Sequence, residues 1–159
     1  MTIPHTVFDP TLDLELKREV DVSPHLVWRA WTEPELLMKW FTPAPWRTTA
    51  CELDLRPGGK FRTVMEGPAG ERHDNTGCVL AVVPQQLLVF TDALGPGYRP
   101  TGSAFMTGSV SITPAGKGTL YIARAIHKDV DAKKQHEEMG FHQGWATALD
   151  QLVALAKTL

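Results

Sequence analysis

The sequence predicts an α+β domain in which antiparallel strands follow one another and a long C-terminal helix closes the chain. Three observations carry this. Beyond Pro45, and as far as about residue 127, every periodic segment alternates in the manner of a strand. Two short helical segments stand ahead of that run, after a first strand. The final segment returns to helical spacing. Strands in succession, rather than alternating with helices, argue for an antiparallel layer and against a parallel α/β sheet.

Each element follows from its residues. Residues 1–10 contain two prolines and no periodicity and read as a tail, which leaves 11–159 as one domain. Leu12, Leu14 and Leu16 alternate with Asp13, Glu15 and Lys17, giving a half-buried strand with its leucines inward. Ser23-Pro24 supplies an N-cap and a first-turn proline for a helix presenting Val27, Trp28 and Trp31. Thr32-Glu33-Pro34 breaks that helix, and Thr32 or Glu33 leads into a second short helix over EPELLMKWF, which Pro43 and Pro45 end. Cys51, Leu53 and Leu55 alternate before the Arg56-Pro57-Gly58-Gly59 turn. Phe61, Thr63 and Met65 then share one strand face. The stretch 66–75, EGPAGERHDN, has hairpin-loop chemistry.

Cys78, Leu80 and Val82 open a strand that is apolar on both faces, and Pro84 stops it. Leu87 to Thr91 forms the next. Residues 93–103, ALGPGYRPTGS, read as a long loop. Met106, Val110 and Ile112 lie on one face of a further strand, and a turn over 114–118 leads to the last, Thr119 to His127. This makes about seven strands. From about Asp131 to Leu159 the spacing predicts one helix with Phe141, Trp145, Leu149, Leu152 and Val153 on a single face. Gly140 and Gly144 fall on or beside that face. Glycine inside a helix costs about 1 kcal/mol against alanine, so the pair implies either close packing or space left for something else.

Composition excludes several classes of function. Apolar residues make up 43% and charged residues 21% of 159, as in an ordinary soluble globular domain. The net charge of −2, with both signs mixed along the chain, carries no nucleic-acid footprint. No apolar run is long enough to span a bilayer, and the N-terminal stretch lacks the pattern of a signal peptide. Cys51 and Cys78 make neither a disulfide framework nor a zinc site, and read as small buried apolar residues in a reducing cytoplasm.

Five stretches in order resemble one known family: VSPHLVWRAWTEPELLMKWFTP at 22–43, DLRPGGKF at 54–61, GCVLAVVPQQLLVFT at 77–91, GKGTLYIARAIH at 116–127 and GWATALDQL at 144–152. They are similar to the START/SRPBCC superfamily with its helix-grip fold, in the branch of the C-terminal domain of the heat-shock-protein-90 ATPase activator. The resemblance covers most of 11–157. It implies a curved sheet wrapped on the C-terminal helix, with a ligand cavity in the gap between them. Trp31, Trp40, Phe41 and Trp46, from the two short helices and their exit, would close one end of that gap.

Candidate lining residues are then Trp40, Phe61, Met65, Phe90, Phe105, Phe141 and Trp145. Taken singly, each is equally a core aromatic or aliphatic; together they form an apolar site of the kind that takes small molecules. The polar candidates are His73, Arg124, His127 and His142. His142 either binds a ligand or is a solvated helix histidine paired with Glu138. Arg124 lies in a strand that also reads Leu120, Ile122 and Ile126. If those residues face the cavity it meets a ligand carboxylate or hydroxyl, and otherwise it faces solvent.

Known catalytic signatures are missing. His136-Glu137-Glu138-Met139-Gly140 begins like a zinc-protease motif but has glycine at the second histidine position. Pro57-Gly58-Gly59-Lys60 lacks phosphate-loop spacing, and no Gly-x-Ser-x-Gly elbow occurs. Ser109 and Ser111 have no evident base, Glu52, Asp54 and Glu66 form no pair, and Asp92 most simply starts a turn. The expectation is therefore a binding protein for a small hydrophobic molecule, with no metal, no cofactor and no nucleic-acid partner, acting as monomer or homodimer. Two alternatives come from the resemblance. One is a cyclase/aromatase-like enzyme using His142, His127 and Arg124. The other is a chaperone-interacting role, for which the resemblance covers one domain, because the co-chaperone carries an additional N-terminal one.

Overall fold

A computed structural model describes residues 7–159. The chain runs β1 (Asp13–Val20), α1 (Pro24–Thr32), α2 (Pro34–Leu37), β2 (Arg47–Leu53), β3 (Lys60–Glu66), β4 (Arg72–Val83), β5 (Leu87–Thr91), β6 (Leu94–Gly95), β7 (Arg99–Pro100), β8 (Thr107–Ala115), β9 (Gly118–Ile126), α3 (Val130–Glu138) and α4 (Phe141–Ala156). Seven strands form one antiparallel sheet in the order β1-β9-β8-β5-β4-β3-β2, and β6 and β7 make a small separate ribbon. This is the predicted α+β architecture, with a curved sheet, α1 and α2 between its first two strands, and the C-terminal helix α4 against its concave face.

Strand periodicity decides what faces that helix. Opposite Phe90 on β5 lies Gly108 on β8. Val110 pairs with Ala123 and Ile112 with Tyr121 across β8 and β9. Leu14 and Leu16 continue the same face on β1, opposite Ala125 and Ala123. Phe90, Val110, Ile112, Tyr121, Ala123 and Leu16 join Ala148, Leu149 and Leu152 of α4 and Val27, Ala30 and Trp31 of α1 in the main core, while Leu14 and Ala125 pack with Phe141 in a second cluster. Most of them are under a tenth exposed. Pro24 starts α1 at its first turn. The Asp129 carboxylate caps α3 by accepting from the Ala132 amide at 2.8 Å.

Within these elements the structure departs in kind from the sequence reading in three places. The C-terminal segment is two helices rather than one. Gly140 stands between them at φ +99°, a left-handed conformation that ends α3 and re-aims the chain into α4. The stretch 66–75 is only partly loop, since β4 opens at Arg72 and pairs Glu66↔Arg72 through Lys60↔Cys78 along β3. Within 93–103 the chain folds into the β6–β7 ribbon around a 3-10 turn at Pro96–Tyr98. At the N-terminus, residues 1–6 lie outside the described residues. The following chain is tied down by Asp9, whose carboxylate accepts from the Thr11 amide at 2.9 Å.

Candidate functional site: an aromatic cavity between sheet and helix

The gap between the concave sheet and α4 is a cavity of about 450 Å³. Its closed end is aromatic. Trp31 and Trp40 meet edge to face at 4.9 Å between ring centroids, and Phe41 stands 5.7 Å from each. The Trp40 indole N–H donates to the Ala30 carbonyl at 2.9 Å, which ties the α2 exit to α1. On the sheet, Phe61 and Phe90 stack in parallel at 4.3 Å. The Phe90 ring lies over Gly108, where a Cβ would approach its ring carbons to 2.5 Å. Gly108 is thus the reason a flat ring can form this wall.

The predicted lining residues Trp40, Phe61, Met65, Phe90, Phe105, Phe141 and Trp145 all border the cavity. The mouth is marked by Phe105, 41% exposed, and Met139, 72% exposed. Gly144 also borders the cavity, and a Cβ there would meet only Pro43 Cγ, at 3.9 Å. The sequence left close packing and spare room as alternatives for this glycine, and the geometry leaves room for a side chain in ordinary contact with Pro43.

Arg124 and His142 lie elsewhere. The residues of β9 that face inward are Tyr121, Ala123 and Ala125, so Arg124 is on the convex face, where its Nε donates to Glu15 at 2.7 Å and its guanidinium covers the Phe8 ring. His142 is exposed on α4 and bonds Glu137, not Glu138, at 2.8 Å. That hydrogen bond, with Lys133 beside it, holds the Glu137 carboxyl below its ordinary range. Trp46 turns away from the cavity to stack on His73 at 5.6 Å.

Two polar groups that sequence reasoning passed over border the cavity instead. Tyr121, from β9, accepts a hydrogen bond from the Trp31 indole N–H at 3.0 Å. Among the described residues nothing accepts its own proton. Burial pushes its ionisation well above the ordinary range, so it stays a neutral donor. The second group is His136, from α3. His127 Nδ1 lies 2.8 Å from the Leu12 carbonyl, which can only accept, so that nitrogen carries the proton. In the neutral His127 ring Nε2 is then an acceptor, and the His136 Nδ1 2.9 Å away donates to it. This leaves the lone pair of His136 on Nε2. Burial, with the adjacent His127, lowers His136 to about 4, so it is neutral near pH 7. The alternation of β9 pointed to Tyr121 only if Ala123 and Ala125 are counted as core. His136 became legible only with the break at Gly140.

Asp92 is the third ionisable group at the cavity, which Thr42, Thr63, Asn75 and Thr91 also border. Its carboxylate accepts from the Phe105 amide at 3.0 Å and the Met106 amide at 3.2 Å, fixing the chain at the mouth. Among the described residues no group of three or more His, Cys, Asp or Glu side chains is placed to hold a metal, and no helix is long and apolar enough to cross a membrane.

The fold recurs in solved structures. Protein NE0264 from Nitrosomonas europaea is 49% identical over 95% of this chain and 97% of its own, with a TM-score of 0.92. Protein Ms6760 from Mycobacterium smegmatis is 26% identical over 91% of this chain and 90% of its own, with a TM-score of 0.77. An AHSA1-like protein from Aeromonas hydrophila, 19% identical over 92% of this chain and 93% of its own, shares the fold with a TM-score of 0.69. No curated protein matches the chain. The model of the family described as "Activator of Hsp90 ATPase homolog 1-like protein" matches residues 21–157, and the chain belongs to that family.

Proposed function

We propose that the protein binds a small apolar or amphipathic molecule in the cavity between sheet and α4. The observation that carries this reading is the volume of about 450 Å³ walled by aromatic rings. Protein interiors ordinarily leave few voids larger than a water molecule, whereas small-molecule sites occupy about 300–1,000 Å³ and combine apolar walls with a few polar groups. Gly144 supports the reading independently. A helix that needed only to pack would gain from a side chain there, and the available space would accept one.

The test is a titration with N-phenyl-1-naphthylamine, a neutral probe whose emission rises in apolar surroundings. Saturable binding at one site per chain is expected, together with its loss in Gly144→Phe, whose ring would occupy the cavity. Absence of saturable binding, or binding unaffected by Gly144→Phe in a folded protein, would remove this function.

A further inference from the structure

We infer that the ligand is an uncharged molecule carrying a hydroxyl group, held by donation from that hydroxyl to Nε2 of His136 just inside the mouth. The inference rests on the cavity being the ligand site and names the chemistry that the cavity selects.

Three features lead to it. The first is position. His136 borders the cavity, and its ring centroid lies 4.6 Å from Phe105 at the mouth, 5.3 Å from Phe141 and 6.0 Å from Trp145. A molecule that passes these packed rings can meet the polar edge of His136 in a largely aromatic wall. The second is direction. With the His127 ring neutral, the chain from the Leu12 carbonyl through His127 sets which imidazole nitrogen of His136 bears the proton, so His136 offers the cavity an acceptor and not a donor. His127 acts through His136 and is a positioning residue.

The third is charge. Among the described residues the ionisable groups that border the cavity are Asp92, Tyr121 and His136, and no lysine or arginine does so. A carboxylate at the mouth would face the lone pair of His136 and the carboxylate of Asp92, with no cation to offset its desolvation. Fatty acids and other anionic amphiphiles are therefore disfavoured. A hydroxyl satisfies the acceptor without carrying charge into the site. Unlike an ammonium, it adds no desolvated cation. Arg124, the residue that would have favoured an acid, is on the other face of the sheet, bonded to Glu15.

The experiment compares three probes of one shape, 4-butylphenol, 4-butyltoluene and 4-butylbenzoate, by calorimetric titration at pH 8. The phenol is expected to bind about tenfold tighter than the toluene, although the toluene is the more apolar, and about tenfold or more tighter than the benzoate. Tenfold corresponds to one net hydrogen bond at about 1.4 kcal/mol. In His136→Leu the phenol should lose that advantage while the toluene keeps its affinity. His136→Gln, which retains an acceptor, should keep part of it. The benzoate binding as well as the phenol, or a phenol advantage unchanged in His136→Leu, would overturn the inference while leaving the cavity as the ligand site. The preference between probes on the unmodified protein tests the claim even if the leucine variant does not fold. If none of the three binds, the binding function fails and this inference with it.

Discussion

Replacing Gly144 by alanine should make the protein more stable, and the structure sets the size of the gain. Gly144 is in the first turns of α4, and its amide donates to the Gly140 carbonyl at 2.8 Å, so its backbone is helical. Alanine at such a position is favoured over glycine by about 0.5–1 kcal/mol, because it restricts the unfolded chain and the backbone conformation already suits it. The opposing term would be a clash, and here there is none. The nearest atom to an added Cβ is Pro43 Cγ at 3.9 Å, an ordinary van der Waals contact. For a chain of this length the gain corresponds to a rise in Tm of about 1–4 °C. Thermal unfolding followed by circular dichroism reads this directly. The added methyl narrows the cavity by little, so probe binding should persist, unlike in Gly144→Phe. A fall in Tm would refute the reasoning, since it would mean that α4 packs closely at Gly144 and that the space beside it is not available to a ligand.

Other outcomes follow from the same geometry. Gly108→Ala should destabilise by about 1–3 kcal/mol, measured by urea unfolding, because its methyl would collide with a Phe90 ring that Phe61 pins from the other side. Acid should weaken the fold through His136. Its folded value of about 4 lies below the ordinary 6.5, so the unfolded chain takes up the proton first, and stability present above about pH 6.5 is lost as pH falls toward 4. The loss from this group has a ceiling of about 3 kcal/mol, and His136→Gln should flatten the profile of Tm against pH over that range. Arg124→Ala and His142→Ala should leave naphthylamine affinity unchanged, since the first faces Glu15 on the convex surface and the second faces Glu137 in solvent.

The parts of this fold that were legible in the sequence are those set by local periodicity. Phe61, Thr63 and Met65 alternate cleanly, and the structure turns that face to the cavity. Leu87 to Thr91 has the predicted bounds. Pro24 opens α1 as expected, while the second short helix spans only Pro34–Leu37 of the expected EPELLMKWF stretch. What was not legible depended on a choice between two faces or two conformations. Along β9, Leu120, Ile122 and Ile126 look like the buried face, but small Ala123 and Ala125 are the inward ones, because α4 and Phe141 approach closely there. The whole strand is therefore inverted relative to the reading that brought Arg124 inside. Gly140 could continue a helix at modest cost or end one. Its left-handed backbone ends α3, and this break is what aims His136 at the cavity while leaving His142 outside. The His127–His136 pair directly joins residues that share no strand or helix face, and His127 is anchored on the Leu12 carbonyl before β1, contacts that periodicity does not encode.

The central claim is that the space under α4 holds a ligand. Intermolecular nuclear Overhauser effects between bound N-phenyl-1-naphthylamine and the protein's methyl groups test it most directly. Met65, Met106, Ala148 and Leu149 border the cavity, and their methyls should all show contacts with the probe's rings. Contacts confined to outward-facing methyls such as those of Val7, Val130 and Leu159, with none to the four cavity residues, would contradict the account.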